Sequence, residues 1–294
     1  MKSNVLIVAS IRSWHAEDLA QNTLIPVVHE FGLDAPIIPD FVTPAWWSPQ
    51  EYIARLILNE HNFTLQSVGP TWMSDLPVKY TGRNIWSGQV KDYKLGKGFD
   101  SGFLKLAEAK SDKFIATWVP YRYLVYDAIS AGLLSNDSWI QISDRFLDID
   151  SEYRFWILDK KVVTGSMYLD SDGNTWDPAW LQNKEKYYED AYTFTKKIVA
   201  NLDSPTAYVL DVARLKTGEC VILEANAAWS SSWYGGEIDA VVATILASND
   251  TSGIDKKYVW SHDSSLIEKF RFRQPLKESE PIWAERLKLK KLKK

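Results

Sequence analysis

The hydrophobic positions of this chain fall into two periods, and the switches between them mark out its elements. Val5 to Ala9 is an unbroken apolar run, the pattern of a strand covered on both faces in an α/β unit. From Ala16 to Phe31, the residues Leu19, Leu24, Val27, Val28 and Phe31 recur near the helical period and Gly32 offers a stop. A helix is predicted there, kinked or restarted at Pro26. Ala35 to Ile38 reads as the next strand and completes the start of a βαβ unit, and Tyr52 to Asn59 reads as a short helix. Leu76 to Gly88 carries Pro77, Gly82 and Gly88 among basic and aromatic residues, so it reads as a connection between lobes, with a boundary near residue 80.

Beyond that point strands dominate. Gly102 to Ala107 (GFLKLA) and Lys113 to Trp118 (KFIATW) read as two strands of a small antiparallel layer, followed by a helix over Tyr121 to Leu134. Ser138 to Ser143 alternates, and Tyr153 to Leu158 with Lys161 to Tyr168 flank the turn-prone Asp159 and Lys160, which predicts a hairpin. After a helical stretch from Lys184 to Ala200, Ala207 to Val212 and Glu219 to Glu224 form a second hairpin around Lys216, Thr217 and Gly218. An apolar helix follows over Glu237 to Ala247. The fold class is α/β, in an α+β arrangement.

Composition narrows the functions. A chain of 294 residues with 46% hydrophobic content can bury about 75% of its unfolded surface, which excludes global disorder. With 34 basic residues against 38 acidic ones, it has no overall positive field to draw it onto phosphate backbones. Its one strong basic cluster, residues 285–294, lacks aromatic residues for base stacking, so a nucleic-acid partner is disfavoured. That tail is open to two readings, a solubilising end or a contact with anions or a membrane surface. Cys220 has no cysteine to pair with and lies in an apolar run, which reads as a strand thiol in a reducing, cytoplasmic setting. No run reaches the roughly 18 apolar residues of a membrane span, and no export signal is expected.

The chemistry gathers in the second hairpin. Asp211 lies on its first strand, Glu224 ends the second, and Asn226 follows two residues later, on the same face as Glu224 if the strand continues. Two carboxylates and an amide supply oxygen ligands of the kind Mg²⁺ takes. Acids that face solvent or pair with Arg and Lys fit the same spacing equally well.

The order FLK, EYRFWI, YVLDV, VILEANAAWS and SWYG resembles the ATP-grasp superfamily, in particular its compact divergent branch of uncharacterised microbial and phage proteins. The resemblance spans about residues 81–262 and implies an ATP-grasp fold, with a small lobe over about 86–145 and a large lobe over about 146–262. An N-terminal α/β pre-ATP-grasp domain (1–80) would precede it, and a C-terminal extension with the basic tail (263–294) would follow. On this resemblance Asp211, Glu224 and Asn226 hold Mg²⁺ against the ATP phosphates. Lys105 touches phosphate, with Lys113 as a second contact. Arg154 faces phosphate or an acyl phosphate, and Glu152 holds Arg154 or binds the ribose. The hinge supplies Gln141, Ile142, Asp144 and Phe146 around the adenine. Lys105 as an edge-strand residue with its head in water, and Arg154–Glu152 as a structural pair, are the alternatives. The turn AEAKSD lacks the glycine-rich phosphate loop of better-known members, leaving Lys110 and Lys113 to compensate.

The reaction so implied activates a carboxylate with ATP and lets an amine, of an amino acid or peptide, attack the acyl phosphate to give an amide. Lys105 and Arg154 are its catalytic candidates. Ser10, Arg12 and His15 follow the first strand, where open α/β sheets bind ligands, and Arg12 suits a carboxylate. Ser230, Ser232, Tyr234 and Gly235 follow the metal motif as further substrate candidates, or form an ordinary polar loop. Trp46, Trp47, Trp72 and Trp86 line a substrate groove or belong to the core. Two rival functions remain, an ATP-dependent small-molecule kinase and a nucleotide-binding interaction module with little catalysis. A homodimer is left open.

Overall fold

The computed structural model describes residues 3–10, 14–30, 41–50, 64–107, 114–170 and 185–261. Three sheets carry the chain. The first is parallel, in the order β2 (Val27–Glu30), β1 (Ser3–Ala9), β3 (Val42–Trp47), with helix α1 (Trp14–Asn22) between β1 and β2. Every residue from Val5 to Ala9 is buried because both faces of β1 are covered. Val5, Ile7 and Ala9 pack with Trp46, Leu65 and Trp229, while Leu6 and Val8 pack with Leu19, Trp47 and Trp156.

The helix expected over Ala16 to Phe31 ends instead at Asn22, and Val27 to Glu30 is a strand. Pro26 cannot extend a helix, and the β-branched Val27 and Val28 pair in register with Leu6 and Ile7. The strand and helix expected at Ala35 to Ile38 and Tyr52 to Asn59 lie outside the described residues.

Two short helices, α2 (Trp72–Asp75) and α3 (Val78–Thr81), lead into the second sheet. This sheet is antiparallel, ordered β4 (Ile85–Gln89), β7 (Trp139–Ser143), β5 (Gly102–Leu106), β6 (Thr117–Val119). Part of the stretch read as a connection is therefore its edge strand, β4. Helices α4 (Val90–Lys94) and α5 (Leu124–Ser130) share its core, where Leu104, Leu106, Ile140 and Ile142 point. The opposite face carries Phe103, Lys105, Gln141 and Ser143 and looks toward the third sheet.

The third sheet is ordered β11 (Cys220–Asn226), β10 (Ala207–Leu215), β8 (Ile149–Leu158), β9 (Lys161–Asp170), all antiparallel. The expected hairpin turn has Asp159 and Lys160 at φ 49° and 60°, the left-handed pair that a two-residue loop demands. One face packs Tyr153, Phe155, Tyr208, Leu210 and Ile222 against helix α6 (Glu185–Val199). On the other face Trp156 and Val209 pack against α7 (Ile238–Ser248) and the parallel sheet. The polar half of that same face is left toward the second sheet.

Candidate active site in the cleft between two sheets

A single cross-strand row builds the site. Ser166, Arg154, Asp211 and Glu224 are consecutive partners across β9, β8, β10 and β11. Glu224 reaches this face through a bulge: Asp211 pairs with Glu224, yet Val212 pairs with Ile222, so Leu223 is an extra residue. Without it Glu224 would share the face of the buried Ile222. The bulge carbonyls do not go unpaired, since buried Arg83 donates to Ile222 O at 3.3 Å and Leu223 O at 2.8 Å, and to Thr81 O at 3.0 Å. Burial lowers the Arg83 pKa to about 10, with Glu224 and Asp144 opposing the fall, so it stays charged at neutral pH.

Two ion pairs of different character occupy the row. Arg154 grips Asp211 with both ends of its fork, Nε to Oδ1 at 2.8 Å and Nη2 to Oδ2 at 2.7 Å, and Asp211 is fully buried. Burial alone would lower the Arg154 pKa, but Asp211 holds it above the ordinary value. Lys105 crosses the cleft from β5 to Glu224 Oε2 at 2.7 Å, and these side chains keep 20% and 23% of their surface exposed. Asn226 ties the two carboxylates together, its Nδ2 donating to Asp211 Oδ2 at 3.0 Å and to Glu224 Oε1 at 2.9 Å.

A second bulge brings in a residue the sequence reading missed. Tyr168 is the extra residue of β9 between the pairs Glu152–Leu169 and Tyr153–Met167. Its hydroxyl donates to Glu152 in a short hydrogen bond, and its ring stacks on Tyr234 at 4.9 Å. The Arg154 guanidinium lies 5.4 Å from the Tyr168 ring centre and 5.0 Å from that of Tyr234. Burial raises the Glu152 carboxyl, the Tyr168 hydrogen bond opposes this, and the charges of Asp211 and Glu224 add to the rise. Burial likewise raises the Tyr168 and Tyr234 hydroxyls, so both remain protonated donors at neutral pH.

The hinge residues separate by face. Gln141 is the cross-strand neighbour of Lys105 on the cleft side, whereas Ile142 points into the core of its sheet from a strand flanked on both sides. Asp144 accepts from Asn84 N at 3.1 Å and Asn84 Nδ2 at 2.7 Å, tying together the two crossings into this sheet. Burial would raise the Asp144 carboxyl, but the hydrogen bonds from Asn84 and Arg145 hold it below its ordinary range. Phe146 is 62% exposed and forms an aromatic patch with Phe103 and Trp118, ring centres 5.3 and 5.0 Å away. Phe103 and Trp118 are cross-strand partners, so the patch continues the face that carries Lys105. An apolar pocket of about 380 Å³ lies on the other side of this sheet, lined by Leu104, Val119, Leu124 and Val125 among others.

The expected substrate loop meets both partners. Ser232 O accepts from Arg154 Nη1 at 3.2 Å, and Gly235 N donates to Ser166 Oγ at 3.1 Å. Ser230 ends a single 3₁₀ turn that continues β11. This segment docks along β3, where Ser48 N donates to Trp229 O at 2.8 Å and Trp47 Nε1 to Ser231 O at 2.8 Å. Ser10 lies buried at the end of β1, its Oγ 3.3 Å from His15 Nδ1. The His15 ring sits between Trp14, Trp47 and Trp233, at 3.7, 4.7 and 5.7 Å. Trp46, Trp47 and Trp72 are core residues, and Trp86 packs on the core of the second sheet. Arg12, Lys110 and Lys113 lie outside the described residues.

A sequence profile of the ATP-grasp domain of the R2K clade, family 2, matches residues 80–244, more than half of the chain. The chain belongs to this ATP-grasp family. The matched span contains the row Arg154–Asp211–Glu224 and the lysine that crosses to it. Among solved structures, the chain is similar to carboxyaminoimidazole ribonucleotide synthase from Aspergillus clavatus complexed with ATP, at 13% identity and TM-score 0.46, covering 83% of this chain and 77% of that one. It is also similar to D-cycloserine synthetase DcsG, at 13% identity and TM-score 0.44, over 83% and 100% of the respective chains. N5-carboxyaminoimidazole synthetase from Staphylococcus aureus gives 8% identity and TM-score 0.45, over 84% and 78%. No curated protein matches the sequence significantly.

Of the residues expected to hold a divalent ion in this ATP-grasp cleft, Glu224 and the Asn226 side-chain carbonyl are hard oxygen donors of the kind it takes, while both oxygens of the buried Asp211 accept from Arg154. Among the described residues no group of three or more His, Cys, Asp or Glu that could hold a metal ion is gathered. No helix among them is long and apolar enough to cross a membrane.

Proposed function

We propose that the chain is an ATP-dependent carboxylate–amine ligase. The observation that carries this is Lys105 of the second sheet meeting Glu224 of the third, which also carries Arg154 and Asp211, so a cation on one wall of the cleft faces two acids and a second cation on the other. The aromatic patch of Phe103, Trp118 and Phe146 would take the flat face of the adenine, with Gln141 and Asp144 at its edge. Lys105 would pair with the nucleotide phosphates. Glu224 and Asn226 would hold a Mg²⁺, and the chemistry it would supply there is neutralisation of phosphate charge.

In the reaction, a carboxylate oxygen forms a bond to the γ-phosphorus as the bond to ADP breaks. The amine nitrogen then bonds to the acyl carbon, phosphate leaves, and the nitrogen gives up a proton. Arg154, fixed in place by Asp211, would face the charge that develops on the transferred phosphoryl group. Positioning supplies most of the catalysis, since no protein nucleophile is needed. The Ser230–Gly235 loop and the edge around Ser10 and His15 would receive the acceptor, because that loop contacts both Arg154 and the parallel sheet.

Calorimetry with ATP and ADP, with and without Mg²⁺, tests the reading on the natural chain and on Glu224→Gln. Mg²⁺-dependent binding that the variant loses supports it, and a screen of carboxylate and amine pairs for ADP release and amide products follows. A folded natural chain that binds neither nucleotide would remove the enzymatic reading altogether.

A further inference from the structure

The second sheet has a face turned away from the cleft, and on that side it ends in an open edge. Among the described residues β6 pairs only with β5, through Gly102–Val119, Phe103–Trp118 and Leu104–Thr117. The N–H and C=O groups on its outer side are left as a template for another strand. Next to this edge lies the apolar pocket of about 380 Å³, between Leu104 and Val119 of the sheet and Leu124, Val125 and Ala128 beside them. The pocket also touches Thr117 and Trp118, so it reaches the edge strand itself.

Three features of this place fit the same occupant. Residues 115–126 hold five of the twelve large hydrophobic side chains that stand exposed among the described residues: Ile115, Trp118, Tyr121, Tyr123 and Tyr126. Apolar surface gathered in this way marks an interaction site, and Tyr121 and Tyr123 stack face to face within it at 5.6 Å. The pocket has apolar walls and one charged lining residue, Asp127, whose carboxylate meets no cation among the described residues. It therefore complements one positive charge beside an apolar group. Thr117 is the cross-strand partner of Leu104 and shares the pocket face with Val119. A strand laid beside β6 would turn every second side chain to that face and the intervening ones toward the side of Trp118. A small apolar molecule could fill the pocket but would leave the edge unpaired, whereas a backbone carrying side chains uses both.

We propose that this edge binds an extended peptide, which adds as a strand beside β6, places a large apolar side chain in the pocket and sets a basic side chain, in the i, i+2 relation to it, against Asp127. Backbone pairing supplies affinity that many sequences share, and the pocket with its carboxylate selects among them. The surface lies on the far side of the sheet from Lys105, so the inference stands whether or not the cleft binds nucleotide.

Two measurements on the full chain test this, with a fluorescein-labelled peptide Thr-Lys-Thr-Leu-Thr-Lys-Thr as the probe, whose near-symmetry serves either strand direction. The first is fluorescence anisotropy. Replacing the peptide's leucine by threonine is expected to weaken binding on the order of tenfold, and replacing both lysines by glutamate about fivefold. Asp127→Lys is expected to invert the preference for lysine over glutamate, and Ala128→Trp to fill the pocket and remove the dependence on leucine. The second is backbone amide hydrogen exchange, in which saturating peptide is expected to protect Thr117–Val119. No saturable binding at about 1 mM peptide overturns the proposal. So does a lysine preference that survives Asp127→Lys, which would place the peptide elsewhere. Equal binding by a peptide N-methylated along its backbone would leave a pocket for side chains alone and overturn the strand addition. Protection of Thr117–Val119 that grows with protein concentration in the absence of peptide would give the edge to a second copy of the chain, and likewise overturn it.

Discussion

Tyr153 and Arg154 are neighbours in the chain and live in different chemistries. Tyr153 faces α6 with Phe155, Tyr208 and Ile222, in a layer built from large side chains on one side of the third sheet. Arg154 faces the cleft with Asp211 and Glu224, in a layer built from charge. The first layer is held by area and tolerates imperfect partners, because burial is non-directional. In the second each group depends on one specific partner. Pleating alone separates them, so a sheet with a two-residue period carries a core and an active-site wall in the same strands.

The sharpest way to break that comparison is to remove one side chain from each face. Phe155→Ala and Asp211→Leu are each expected to cost about 3–5 kcal/mol in chemical denaturation, the first through a cavity and the second by stranding Arg154. Only the second has a rescue: adding Arg154→Met to Asp211→Leu should recover most of the loss, whereas a second truncation beside Phe155 should deepen it. Equal behaviour of the two faces would show that the charged layer is held by packing after all.

A smaller effect is expected at the bulge. Arg83→Met removes the donors for three buried carbonyl contacts and should cost about 1–3 kcal/mol, read from the same denaturation midpoint. Lys105→Met should cost less than about 1 kcal/mol in stability, because its pair with Glu224 is partly in water. A stability loss there as large as at Asp211 would erase the distinction between inner and outer pairs.

The smallest effect is a slope. The Glu152 carboxyl is raised in the folded chain, so the folded state holds this proton to higher pH than the unfolded state does. Its contribution to stability therefore falls as pH rises from the ordinary carboxylate range through the raised value. Glu152→Gln should flatten the stability profile in that window; an unchanged slope would mean that Tyr168 already compensates the charge.

The alternating and turn-bounded segments were legible in the sequence for physical reasons. Asp159 and Lys160 adopt the left-handed pair that the turn requires, and Phe103 and Lys105 alternate with Leu104 and Leu106 as a half-buried strand must. The helix read through Pro26 went astray because β-branched residues at helical spacing also suit a strand. Local pattern cannot say that Leu6 and Ile7 wait as partners. In the site, Asp211, Glu224 and Asn226 come together as the hairpin spacing allowed, with the two acids paired to Arg154 and, from the other sheet, Lys105. Arg83 and Tyr168 were missed for one shared reason. Each acts at a bulge, and a bulge is a relation between two strands that a single strand's residues do not spell. The tryptophans read as groove-lining were equally ambiguous, since a ring inside a core and a ring on a binding surface have the same composition.

Leu223 bears no charge and touches no substrate in the chemistry proposed here, yet it sets the phase of everything after it in β11. One unpaired residue delays the strand by half a pleat, and Glu224 changes from a residue of the interior to a residue of the cleft. The length of this strand is thus a functional parameter in its own right. Losing one residue there would invert the meaning of the letters that follow while leaving each of them in place, so comparisons with distant relatives should look for the site in the count of residues as well as in their identity.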